Sequence, residues 1–165
     1  MSSVTSGDAD ARRRKRRLTN AIKESLRELS IQLSLLNHQV GARLELKDVD
    51  LDCLDLVARY GPLSPSALAR RAGLHPATMT GILDRLQRAG WITRERDPEA
   101  ADRRAVTVRA LRDRGAEIFH LYGPMNASLD GICSGYTDAE LAVLADFLHR
   151  ATGAGRVATD DLAEP

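Results

Sequence analysis

The residues best suited to chemistry lie between Ser64 and Arg114, and that chemistry is recognition of a polyanion. The stretch holds eleven arginines and no lysine against six acids, a local net charge of +5 in a chain whose formal net charge is +1. Residues 12–17, Arg-Arg-Arg-Lys-Arg-Arg, add +6, so the rest of the chain is acidic. A basic segment on an acidic scaffold is the charge pattern of a nucleic-acid binder. At 100° per residue, Ala77, Thr78, Gly81, Asp84, Arg85 and Arg88 share one side of a helix, with Thr80 on its flank. Met79, Ile82, Leu83 and Leu86 make the opposite, apolar stripe. Small residues let a helix backbone approach base edges, hydroxyls can meet bases or phosphates, and arginine can do either. Taken alone, the pattern also fits an ordinary amphipathic helix with a solvated face.

A second basic group follows. Trp91-Ile-Thr-Arg94 and Ala105-Val-Thr-Val-Arg109 have the composition of strands, and Asp97-Pro98 marks a turn between them. Arg94, Arg96, Asp102, Arg103 and Arg104 therefore belong to a β-ribbon with a basic tip. Asp102 can brace Arg104 through a charge-assisted pair, and an aimed arginine suits a narrow minor groove of high negative potential.

These side chains need elements to hold them. Ser64-Pro65 predicts an N-cap and first turn, and Gly73 predicts the stop of a short helix. Pro76 starts a second helix near His75, which Gly90 ends. Two helices, a turn and a ribbon make a winged helix-turn-helix, able to place a helix in the major groove and an arginine in the neighbouring minor groove. Upstream, Ile22, Leu26, Leu29, Leu33, Leu36 and Val40 recur at helical spacing, a stripe too long for one small domain to bury, which implies a partner helix. Asp48 is expected to cap a helix through Tyr60, with Asp50 and Asp52 in its first turn. A long helix from residue 111 or 112 to about Cys133 is expected to bend at Gly123-Pro124. Thr137-Asp-Ala-Glu140 has the form of a capping box opening a last helix through Arg150, with Leu141, Leu144 and Leu148 on its apolar side.

In order and spacing, Leu68-Ala-Arg-Arg-Ala-Gly-Leu74, Thr78-Met-Thr-Gly-Ile-Leu-Asp-Arg-Leu-Gln-Arg-Ala-Gly90 and Arg94-Glu-Arg-Asp-Pro…Asp102-Arg-Arg-Ala-Val106 resemble the MarR family of bacterial transcriptional regulators. The resemblance covers roughly residues 18–150. It departs in three places: Gly81 where many members carry arginine, a wing longer by two alanines, and Arg112 in place of a capping threonine, for which Asp113 can substitute. The resemblance implies a mainly α fold, a winged helix-turn-helix with a small β-wing and long flanking dimerisation helices. It also implies a homodimer, formed by the first and last helices of two subunits. The expected partners are double-stranded DNA, a second copy of the chain and a small phenolic or lipophilic effector bound between dimer helices and winged region. His38, Arg43, Tyr60 and His120 are candidate polar groups near such a cleft, but no spacing argument joins them and no ligand-binding residue is assigned.

The expected organisation is a disordered basic arm at 1–17, a dimerisation helix and connection at 18–47, the winged region at 48–111, C-terminal dimerisation helices at 112–151 and a disordered tail at 152–165. The candidate DNA-binding set is Ala77, Thr78, Thr80, Gly81, Arg85, Arg94, Arg96, Asp102, Arg103 and Arg104. The dimerisation set is Ile22, Leu26, Leu29, Leu33, Leu141, Leu144 and Leu148. Catalysis finds little support: His38, His75, His120 and His149 are scattered, and no nucleophile motif, phosphate loop or paired carboxylate stands out. Cys53 and Cys133 lack metal-ligand spacing, so no metal or cofactor is expected. Hydrophobic content of 43% suffices for a core, and no leader or membrane-spanning run is read from the sequence, which points to the cytoplasm. The expected function is a sequence-specific, ligand-responsive repressor acting on a pseudo-palindromic operator. The alternative from another class is a protein-interaction module that kept the winged fold without sequence-specific DNA binding.

Overall fold

Local signals set most of the helix ends. The computed structural model describes residues 3–96 and 106–163. Its elements are α1 (Ser3–Arg43), α2 (Asp48–Tyr60), α3 (Pro65–Ala72), α4 (Pro76–Arg88), β1 (Ile92–Arg96), β2 (Val106–Ala110), α5 (Arg112–Cys133) and α6 (Asp138–Ala163). The fold is mainly α, with a winged helix-turn-helix and long helices on both sides. The chain divides into two compact units, Met1–Leu51 and Asp52–Pro165.

In the first unit, α1 runs through the basic segment, where the sequence reading expects disorder up to residue 17. Arginine, lysine and leucine are good helix formers, and Arg12 pairs with Asp8 one turn earlier at 2.7 Å. The stripe expected for dimerisation is open to solvent in a single chain: Ile22, Leu29 and Leu33 are exposed and Leu26 is half-buried. Val40, Leu44 and Leu51 are buried. Asp48 does not cap α2 but lies inside its first turn. Its two carboxylate oxygens each stand 3.1 Å from His38 Nδ1, which anchors the end of α1.

In the second unit, Ser64 Oγ accepts from the Ala67 amide at 3.2 Å, and Gly73 closes α3 at φ 64°. That left-handed conformation costs glycine nothing and other residues about 1 kcal/mol or more. His75 Nδ1 caps α4 by accepting from the Ala77 amide at 3.2 Å, and Gly90 at φ 75° turns the chain into the wing. Strands β1 and β2 pair antiparallel, Ile92 opposite Ala110 and Arg96 opposite Val106. Leu63 adds a single bridge to Val108, exchanging both backbone hydrogen bonds at 3.2 and 2.7 Å. The core holds Cys53, Leu54, Val57, Leu68, Met79, Ile82, Leu83, Leu86, Trp91, Ile92 and Val108. Each large apolar side chain buried there contributes about 1.5–3 kcal/mol.

Helix α5 continues through Gly123 and Pro124 as one element. The N-cap residue Leu111 makes no side-chain capping bond, and the Asp113 side chain expected to cap this helix lies outside the described residues. Burial first, and then the negative charges of Asp55 and Asp52, push the Tyr122 phenol up, against the pull of Arg59. Thr137 and Glu140 form the expected capping box: the Thr137 amide donates to Glu140 Oε2 at 2.8 Å, and the Glu140 amide to Thr137 Oγ1 at 3.4 Å. Helix α6 extends past Arg150 to Ala163, through a segment read as a disordered tail. The two glycines there, Gly153 and Gly155, disfavour helix by about 1 kcal/mol each. Helix propagation from a capped start passes over them because each added residue brings its own hydrogen bond.

Candidate nucleic-acid interface

Helix α4 is fixed by one side and offers the other. Met79, Ile82, Leu83 and Leu86 are all buried, so the helix cannot roll without exposing its anchor. Ala77, Thr78 and Thr80 are then exposed near its N-terminal end, as the spacing predicts. Thr80 Oγ1 donates to the Pro76 carbonyl at 3.0 Å, which leaves its lone pairs as acceptors. This end presents the small side chains of Ala77, Thr78 and Thr80 beside the exposed His75 and Pro76.

Arg85 differs from expectation. It is half-buried rather than fully exposed, and its Nη1 lies 3.7 Å from where a Cβ on Gly81 would stand. The guanidinium therefore folds back along α4 over the space that Gly81 leaves open. Gly81 thus makes room for an arginine supplied one turn later.

Arg94, assigned to the same set, is placed differently. Its Nη2 donates to Asp84 Oδ1 at 2.6 Å, and its side chain is only 27% exposed. Arg94 Nε is the one buried side-chain polar atom without a hydrogen bond among the described residues. The pair joins β1 to α4 across ten residues, so Arg94 is held by the protein and fixes the start of the ribbon against α4. Arg96 is exposed at the far end of β1. A longer-range contact, 3.5 Å from Arg109 Nε to Glu95 Oε2, ties the two strands together. Asp97-Pro98, Asp102, Arg103 and Arg104 lie outside the described residues.

Arg114 makes a structural link that the sequence reading does not single out. Its guanidinium stacks on the Trp91 ring at 3.7 Å, and its Nη1 donates to the Ala89 carbonyl at the C-terminal end of α4. A cation there satisfies an orphan carbonyl and complements the negative end of the helix dipole. One arginine thus links α5, α4 and the start of the wing. Only the contact across 25 residues reveals it, and no spacing rule would find it. Of the cleft candidates, Tyr60 lies under Arg71, 4.1 Å from its ring centre, and His120 is exposed on α5. Among the described residues no cluster of three or more His, Cys, Asp or Glu could hold a metal ion, and no helix is long and apolar enough to cross a membrane.

Comparison with known proteins agrees with this geometry. Residues 46–106 match the MarR family. An uncharacterized HTH-type transcriptional regulator of Bacillus subtilis, YcgE, is 34% identical over 119 residues, 72% of this chain and 76% of YcgE. The HTH-type transcriptional repressor YetL of the same organism is 30% identical over 78 residues, 47% of this chain and 46% of YetL. Streptococcus pneumoniae FabT, solved in complex with DNA, shares the fold with a TM-score of 0.61 at 21% identity, over 86% of this chain and 98% of FabT.

Proposed function

This chain belongs to the MarR family of transcriptional regulators, and from that premise we propose that it is a homodimeric repressor acting on a pseudo-palindromic operator. The observation that carries the reading is α4: four buried anchors hold it, and Ala77, Thr78 and Thr80 leave its other edge open to the bases. In this reading α4 enters the major groove, with Arg85 contacting phosphate or a base edge from beside Gly81. Arg96, Arg103 and Arg104 of the wing reach the backbone and minor groove, and Asp102 braces Arg104. Arg94 positions the wing. FabT, of the same fold, has been solved on DNA, and YetL is a named repressor; both support the assignment.

Dimerisation rests on the exposed stripes. Ile22, Leu26, Leu29 and Leu33 on α1, with Leu141, Leu144 and Leu148 on α6, are the residues a second copy would cover. A hollow on α6 lined by Val143, Phe147 and Ala151, with Asp146 and Arg150 beside them, is suited to receive a partner helix. Two-fold symmetry then requires operator half-sites about 10 bp apart. A small lipophilic or phenolic effector releasing the DNA completes the reading, and the DNA partner implies a cytoplasmic protein.

The test is fluorescence anisotropy on the DNA upstream of the gene and on a scrambled duplex. Wild type is expected to prefer the first. Arg104→Ala and Asp102→Ala should both weaken binding, most at A·T-rich wing positions. Equal affinity for both duplexes refutes sequence-specific recognition, and wild-type affinity in both variants refutes the wing assignment.

A further inference from the structure

The basic run lies on α1 in a form that its own helix does not neutralise. Arg12, Arg13, Arg14, Lys15, Arg16 and Arg17 are all exposed. At 1.5 Å per residue they occupy about 9 Å of axis, close to one Debye length at physiological salt, so near neighbours within the run repel one another through only partial screening. The repulsion is strongest between i,i+3 and i,i+4 neighbours such as Arg12–Arg16 and Arg13–Arg17. Arg12 is paired with Asp8, and no ion pair involves residues 13–17 among the described residues. A helix that gathers five such cations is stabilised by an external polyanion.

The kind of polyanion follows from the residue pattern. No apolar residue interrupts positions 12–17, and at 100° per step the charges point to every side of the helix. A helix that lies in a membrane surface needs an apolar face opposite its basic one. Contact with a phosphate backbone needs only positive charge within reach. The run is also continuous with the rest of α1, 41 residues and about 60 Å long, so it extends as a helix rather than a loose tail.

We infer that residues 13–17 form a second, sequence-independent contact with duplex DNA, made by the N-terminal end of α1 against phosphates beyond those met by the winged segment. The inference rests on the DNA-binding reading above but not on its sequence specificity. Each protomer brings one such helix, so a dimer applies the contact twice. It adds affinity for any duplex and steepens the salt dependence without changing base preference.

The experiment compares the full chain with a variant carrying Arg13→Gln, Arg14→Gln, Lys15→Gln, Arg16→Gln and Arg17→Gln. Glutamine has nearly the same helix propensity, and circular dichroism verifies that helix content is kept. Anisotropy titrations on a non-operator duplex between ~50 and ~300 mM salt should show the slope of log K against log salt shallower by at least about two units, at ~0.9 per phosphate contact. Affinity at ~100 mM salt should fall at least about tenfold. Equal slopes and affinities overturn the inference. So does a variant that loses binding to phosphatidylserine vesicles while its DNA slope is unchanged, because the run then serves a membrane. A slope difference without operator preference upholds this contact and refutes only sequence-specific recognition, whereas a wild type that binds no duplex refutes both.

Discussion

Removing Asp84 separates two roles that Arg94 can play. The Asp84–Arg94 pair spans 2.6 Å, with side chains 49% and 27% exposed. Unit charges about 4 Å apart attract by ~4 kcal/mol at an effective dielectric of ~20. Desolvation and lost side-chain freedom offset most of that. Fully exposed pairs retain about 0.2–1 kcal/mol and charge-assisted hydrogen bonds about 1.5–3 kcal/mol. This half-buried pair falls between, so Asp84→Ala should destabilise the fold by about 1–2 kcal/mol in urea denaturation. Arg94→Met keeps the packed stem and should cost about 1 kcal/mol, and the double variant should recover about 1 kcal/mol as coupling. A coupling below about 0.3 kcal/mol refutes the brace. DNA binding then distinguishes positioning from contact. If Arg94 positions the wing, Asp84→Ala weakens binding although it removes a negative charge, and the salt slope stays put. If Arg94 instead contacts phosphate once released, Asp84→Ala binds more tightly and the slope steepens by about one unit, and the positioning role is refuted.

Three further expectations can be checked together. Leu29→Asp places a charge in the exposed stripe of α1 and should leave a monomer or an unfolded chain by light scattering; a folded dimer of normal stability refutes that seam. Gly81→Ala adds a Cβ 3.7 Å from Arg85 Nη1, an ordinary contact, so it should stabilise α4 by about 0.5–1 kcal/mol while weakening DNA binding, and Arg85→Ala should fold normally and bind less well. Thr137 hydrogen bonds hold the Glu140 carboxyl below the usual carboxylate value. Its stabilisation is therefore present above the unfolded pKa of about 4.3 and is lost as pH falls through the lower folded value. Amide exchange in the first turn of α6 should quicken under acid, and Glu140→Gln should remove that pH dependence.

Sequence alone determined the elements whose signals are local. Ser64 and Pro65 open α3, Gly73 closes it, Pro76 opens α4 and Thr137–Glu140 opens α6, because caps and turn residues act within four positions. The buried stripe of α4 was equally legible, since helical spacing states which side must face a core. The ends of α1 and α6 were not. Charge and glycine content suggested disorder, whereas helix propagation carried both beyond the residues that begin and end the apolar pattern. Tertiary structure alone decided what the arginines do. Eleven of them share the basic winged segment, and composition treats them alike. The fold sends Arg94 to Asp84, lays Arg114 on Trp91 and turns Arg85 back over Gly81. The same long, charged side chain becomes a brace, a helix cap or a cover over a glycine according to which partner the fold brings within its reach.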